Sequence, residues 1–183
     1  MSTVLVPLAQ GCEELEAVTI IDLLRRAGIT VETAGLDSQP VKASRGVIIV
    51  PDTTLDEALQ KEYDMIVLPG GLPGADNLSN DERVRDLIRQ MAEDGKFIGA
   101  ICAAPAVLAK TGVLAGKSAT SYPGFLDKMG LRDVTVTGAA VERDGSIITS
   151  RGPGTAMDFA LEIIELLEGA DVRKKVEDAL VRS

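Results

Sequence analysis

The chain of 183 residues contains no histidine. That absence removes Ser-His-Asp and Cys-His catalysis, the HExxH zinc helix and the His-carboxylate iron triad, since each needs imidazole as base or ligand. Tryptophan is also missing, and 3 Phe with 2 Tyr leave little aromatic surface on which bases could stack. Positive charge is in deficit, 19 Lys and Arg against 28 Asp and Glu, for a net charge of −9. Direct nucleic-acid binding, which draws on phosphate contacts and counterion release, is therefore not expected. The only cysteines, Cys12 and Cys102, form no CxxC pair, so the thiols read as reduced and neither a disulfide framework nor a metal site is expected. No apolar run approaches the roughly 18 residues of a membrane span. Nothing of leader type precedes Ser2-Thr3-Val4-Leu5-Val6, and a cytoplasmic setting is expected.

What is present reads as one α/β domain over residues 1–183, long enough to bury a core without a metal or disulfide staple. Val4-Leu5-Val6 is a short buried-type strand that Pro7 should break. Ala17, Ile20, Ile21, Leu24 and Ala27 follow helical spacing, with Gly28 at the C-terminal cap position. Further strands are expected at Ile29 to Ala34, Val47 to Val50, Met65 to Leu68, Phe97 to Ile101, Ser118 to Ser121, Val134 to Thr137, Ala139 to Glu142 and Ile147 to Thr149. Asp144-Gly145 makes a hairpin turn. Helices are expected at Thr54 to Gln60, after an Asn80 cap through Met91, and at Ala103 to Lys110, Pro153 to Leu167 and Asp171 to Leu180. Strands alternating with helices specify a mainly parallel sheet covered on both faces, with its ligand site outside the carboxyl ends of the strands.

Three loops with unusual chemistry leave strands at that edge: Gly11-Cys12-Glu13-Glu14-Leu15-Glu16, Pro69-Gly70-Gly71 and Ile101-Cys102-Ala103-Ala104-Pro105. Cys102 ends a strand and starts a helix within a residue or two, the sharp turn that carries nucleophiles, and a helix N-terminus should lower its thiol pKa. A small buried hydrophobe is the plainer reading of the same residue. Of the three glutamates, Glu14 looks solvated, while Glu13 and Glu16 both lie above apolar rows of the first helix; spacing does not choose between them. A carboxyl buried beside the thiol would stay protonated and could shuttle a proton. The Pro69-Gly70-Gly71 turn can offer backbone N–H groups to an oxyanion, and no phosphate-loop pattern accompanies it. Cys12 reads as a loop residue, and Arg151, in Arg151-Gly152-Pro153-Gly154, as a surface arginine before a capped helix.

Taken together, Gly11 to Val18, Val67 to Gly71, Ala100 to Pro105 and Thr149 to Thr155 resemble the ThiJ/PfpI superfamily, in its DJ-one/YajL branch, in family order from about residue 3 to residue 168. The resemblance implies a flavodoxin-like sandwich, a homodimer with the first helix and the Arg45 segment near the partner, and a nucleophilic, oxidation-prone Cys102. It assigns the catalytic carboxyl to Glu16 and the oxyanion donors to the backbone N–H groups of Gly71 and Ala103, with Gly70 shaping the turn. It implies a cofactor-free glyoxalase acting on methylglyoxal-type α-oxoaldehydes, or a deglycase acting on glycated protein or nucleotide; the alternative is a non-enzymatic redox sensor or stress chaperone. Many members carry a histidine near the cysteine where this chain offers Tyr122, and the peptidases carry one directly after it, where Ala103 stands. Peptidase activity is accordingly not expected.

Overall fold

The computed structural model describes residues 1–182. A central sheet of seven strands runs in the order β10-β11-β7-β6-β1-β2-β5. Its members are β1 (Thr3–Leu8), β2 (Thr30–Gly35), β5 (Thr53–Thr54), β6 (Met65–Leu68), β7 (Phe97–Ile101), β10 (Val141–Asp144) and β11 (Ile147–Ser150). All neighbours pair in parallel except β10 and β11, which form an antiparallel hairpin. Gly145 takes a φ of +62° in that hairpin turn, a conformation glycine adopts without Cβ strain.

The two-residue period of the strands sorts their side chains between two cores. Val4, Val6, Leu8, Met65, Val67 and Ile148 face α1 (Glu14–Arg26) and α6 (Ala156–Glu168), where Ile20, Leu24 and Phe159 are buried. Leu5, Ile66, Leu68, Ile98 and Ala100 face α2 (Leu55–Ala58), α3 (Gly74–Asn80), α4 (Glu82–Glu93) and α5 (Pro105–Thr111). In α4 the buried row is Val84, Ile88 and Met91, each contributing about 1.5–3 kcal/mol from apolar burial. The charged α7 (Ala170–Ala179) packs on α6, with Arg173 bridging Glu162 and Glu165. No helix among the described residues is long and apolar enough to cross a membrane.

Several local expectations are corrected. Pro7 lies within β1, paired with Ala34, and beyond the point where the β1–β6 ladder ends at Leu5 and Ile66. A missing N–H costs a sheet only where a neighbouring strand would use it. Val47 to Val50 supplies only Ile48–Ile49, β4, which pairs with β3 (Val41–Lys42) in a hairpin outside the main sheet, its Val41 side buried and Ile48 exposed. Likewise β8 (Ser118–Ala119) and β9 (Thr135–Val136) pair with each other alone. Asn80 does not cap α4, because it closes α3, a helix that Gly74 had hidden in a glycine-rich turn; Asp81 caps instead, accepting the Arg83 N–H at 3.0 Å. The last long helix opens with a 3₁₀ turn at Pro153–Thr155 before α6 begins.

From β1 the chain steps to β2 on one side and later to β6 on the other, so the sheet reverses its winding between β1 and β6. A crevice opens at such a point outside the carboxyl ends of the strands. The loops after β1, β6 and β7 all leave there, bringing Glu16, Gly70 and Cys102 to one place.

Candidate active site

Cys102 stands in a three-residue turn between the end of β7 at Ile101 and the start of α5 at Pro105. Its φ of +65° is a left-handed conformation that a non-glycine residue holds only when its surroundings over-determine it. The pins are visible: its N–H donates to the Ser150 carbonyl at 3.0 Å and its own carbonyl accepts the Tyr122 N–H at 2.8 Å. Ala100 and Ala104, both fully buried, leave room for the bend. The helix thus starts three residues after the cysteine, rather than at Ala103 as the sequence suggested, because Pro105 takes the first helical position.

Glu13 caps α1, its carboxylate accepting the Glu16 N–H at 2.8 Å. That cap turns Glu16 inward, where it is fully buried and its Oε1 accepts the Gly70 N–H at 3.2 Å. Geometry thereby separates two residues that helical spacing left equivalent. Glu14 is not simply solvated: it accepts the Ser44 hydroxyl at 3.0 Å and the Arg45 N–H at 2.8 Å, tying α1 to the β3–β4 hairpin. Against the push of burial, its own backbone N–H and then these donors hold its carboxyl below the usual range. Gly70 is the point of closest approach. A Cβ there would lie 2.7 Å from the Cys102 Cβ and 2.9 Å from Glu16 Oε1, so any side chain would drive the two apart. Gly71 follows with a φ of +89° and its backbone against Glu13 and Cys12.

Burial, with help from the Glu13 carboxylate, pushes the Glu16 carboxyl up to about 8, outweighing the Cys102 and Gly70 hydrogen bonds that favour its ionisation. At neutral pH Glu16 is therefore mainly the neutral acid. Its Oε2 has no closed hydrogen bond, yet carboxyl and sulfur lie near enough to shift each other's titration. We take the contact as one that the acid proton completes by donating to sulfur. With Glu16 ionised, burial and then the carboxylate's charge hold the Cys102 thiol up at about 12, against the pull of the Gly71 and Ala103 N–H groups. This reverses the simple expectation of a lowered thiol pKa, which considered the helix end and not burial or the neighbouring charge. Protonating Glu16 removes the charge and makes its O–H a donor to the sulfur, leaving burial opposed by three donors.

Cys12 is fully buried, and burial followed by the Glu14 and Glu13 carboxylates pushes its thiol up to about 12. It packs under the Gly74 backbone, where a Cβ would meet its Cα at 2.6 Å, so the loop thiol serves packing. Tyr122 comes to the site by its backbone, with a ring that is half exposed. Among the described residues no group of three His, Cys, Asp or Glu side chains is placed to hold a metal ion.

This arrangement has relatives. Residues 2–166 match the model of the DJ-1/PfpI family. The chain belongs to that family. Within it, this DJ-1/PfpI protein falls in the DJ-1 branch, being 49% identical to Protein DJ-1alpha of Drosophila melanogaster over 97% of this chain and 82% of that protein. The crystal structure of Drosophila melanogaster DJ-1beta superposes with a TM-score of 0.95 at 46% identity, each chain covered completely. The fold is thus the flavodoxin-like sandwich of the family. A relative from Caenorhabditis elegans named Glutathione-independent glyoxalase DJR-1.2 is 38% identical, over 88% of this chain and 86% of that protein.

Proposed function

We propose that this DJ-1/PfpI protein is a cofactor-independent glyoxalase, converting methylglyoxal-type α-oxoaldehydes to 2-hydroxy acids. The observation that carries the reading is a fully buried Glu16 carboxyl, neutral at physiological pH, beside a cysteine at a strained elbow faced by two amide N–H groups. The Cys102 thiolate adds to the aldehyde carbon to give a hemithioacetal, with the Gly71 and Ala103 amides stabilising developing oxyanions. Glu16 first gives its proton to the hemithioacetal oxyanion, and the carboxylate so formed, or a water held by it, carries a proton from that carbon to the neighbouring one, turning the hemithioacetal into a thioester. Water then hydrolyses the thioester, releasing the hydroxy acid and the thiol. The aldehyde carbon is oxidised, the ketone carbon is reduced, and one water is consumed. No imidazole is required, in keeping with a sequence that has none. The same nucleophile would act on hemithioacetal or hemiaminal adducts of glycated protein or nucleotide, the deglycase form of the activity, and we place it in the cytoplasm.

The test is lactate production from methylglyoxal by purified protein, with glutathione and amines excluded and free aldehyde followed in parallel. Sustained turnover with stoichiometric lactate is the expected result. Protein that becomes modified once and stops would discard the enzyme in favour of a redox-sensing or chaperone role.

We also assign the functional unit as a homodimer. Leu15 and Val18 on α1 and Val47, Ile48 and Val50 around β4 are all exposed, and the Glu14 bonds to Ser44 and Arg45 join the two segments. Large apolar side chains left exposed on two segments joined in this way suit an interface. Sedimentation at micromolar concentration is expected to give a dimer, and Val18→Glu to give a monomer; a monomeric wild type would refute the assignment.

A further inference from the structure

Arg151 and the turn that follows it have no part in the chemistry above, yet they follow directly on a residue bonded to the Cys102 backbone. The residue before the turn, Ser150, accepts the Cys102 N–H, and Tyr122 donates to the Cys102 carbonyl, so the two segments flank the Cys102 backbone. Between Tyr122 and residues 151–155 lies a cleft of about 300 Å³, at the small end of ligand-site volumes. One wall is the Tyr122 ring, which packs edge-on to Phe125 at a centroid distance of 6.3 Å and so closely over Gly152 that a Cβ there would lie 3.2 Å from it. The other wall is held by Thr155, whose hydroxyl lies 2.7 Å from the Ser150 hydroxyl and accepts the Gly152 N–H at 3.1 Å. Arg151 is steadied by one bond, from Nη1 to the Gly138 carbonyl at 3.0 Å. It forms no ion pair among the described residues, although the chain carries a net charge of −9.

A guanidinium with donors to spare, oriented by a single carbonyl at the rim of a cleft whose flanking segments hold the Cys102 backbone, suits a planar anion. We infer that the cleft is a substrate subsite in which Arg151 binds a carboxylate carried a few atoms beyond the oxoaldehyde, while the Tyr122 ring covers the intervening carbons. The substrate class so defined is the α-oxoaldehyde with a distal carboxylate, as distinct from unsubstituted methylglyoxal. The chemistry of this assignment rests on the oxoaldehyde reading above; the anion site itself rests on the cleft.

Two measurements on the full chain keep those apart. The first compares kcat/KM for 4,5-dioxopentanoate, which would yield 2-hydroxyglutarate, with kcat/KM for its neutral methyl ester. The wild type is expected to favour the acid by about fivefold, the scale of one exposed ion pair. Arg151→Leu is expected to bring the ratio to about one and Arg151→Lys to keep part of it, while Arg132→Leu, removing the same charge outside the cleft, keeps it whole. Equal values in the wild type, or a ratio that Arg151→Leu leaves standing, overturns the subsite. The second measures protection of Cys102 from iodoacetamide by 2-hydroxyglutarate and by lactate, which needs no turnover. Stronger protection by 2-hydroxyglutarate that vanishes in Arg151→Leu upholds the anion site even if no oxoaldehyde is converted. Equal protection by the two in the wild type refutes it.

Discussion

Glu16→Gln is expected to lower lactate formation by about 10²- to 10⁴-fold, the span of a general acid or base, while raising the pH at which Cys102 is alkylated. Glutamine has nearly the volume of glutamic acid and keeps an oxygen for the Gly70 N–H, which Glu16 accepts at 3.2 Å, so the fold should survive. It cannot move a proton, and its amide is a weaker donor to sulfur than a carboxylic O–H. The sign of the alkylation shift carries the argument. A neutral Glu16 helps the thiolate, so its loss moves the titration upward. An ionised Glu16 opposes the thiolate, its charge adding to the burial that pushes Cys102 up to about 12, so its loss would move the titration downward. A downward shift would therefore refute the neutral assignment, and with it the proton-shuttle role. Cys102→Ser should abolish turnover entirely, because a serine hydroxyl, far less acidic than a thiol, stays protonated beside a neutral Glu16. Near-normal lactate formation by that variant would remove the covalent mechanism.

Much of this site can be read in the sequence because its parts are tied to strand ends. The apolar runs at Met65–Leu68 and Phe97–Ile101 allow little but buried parallel strands, and Pro69-Gly70-Gly71 and Cys102 must then leave at the same edge. The choice of Glu16 over Glu13 is different in kind. Both residues lie above apolar rows of α1, and what separates them is the Glu13 cap, a hydrogen bond within a single turn that spacing does not encode. The thiol's electrostatics were illegible for a related reason. Sequence shows that a helix follows Cys102, but not that the sulfur is nearly buried, with 8% of the residue exposed, or that the Gly70 backbone lets a carboxyl approach it. The weak strands were misjudged because their partners are each other. Ile48–Ile49 and Ser118–Ala119 have apolar or β-prone residues, yet each pairs in a two-stranded ladder outside the main sheet, even where, as at Ala119, the side chain is buried against the core. Pro7 errs in the opposite direction, since only the position of its neighbours reveals that its missing N–H costs nothing there.

The buried carboxyl must also weaken the fold as pH rises. Glu16 has a folded pKa of about 8 against an ordinary value of 4.5. In the unfolded chain it ionises freely above 4.5, while in the folded protein it stays protonated until about 8, so across that window the folded state binds more protons. Stability from this group is therefore complete below pH 4.5, falls through the window, and is exhausted above the folded pKa. At about 1.4 kcal/mol per unit of pKa, the whole window is worth several kcal/mol, at most about 5. Cys102 titrates with Glu16, and replacing it by alanine isolates the carboxyl. Denaturant unfolding of Cys102→Ala is expected to lose several kcal/mol between pH 5 and pH 8 relative to the double variant Cys102→Ala/Glu16→Gln. Titrating groups that do not interact with Glu16 are common to the two proteins and cancel in that difference, and what Glu13 contributes through Glu16 belongs to the carboxyl's own effect. At roughly 2–4 °C per kcal/mol for a domain of this size, the gap in melting temperature should widen by about 10 °C as pH rises from 5 to 8. Parallel pH profiles for the two proteins would mean that the carboxyl ionises in the folded state as easily as in water, and the proton that the mechanism assigns to Glu16 would not be there.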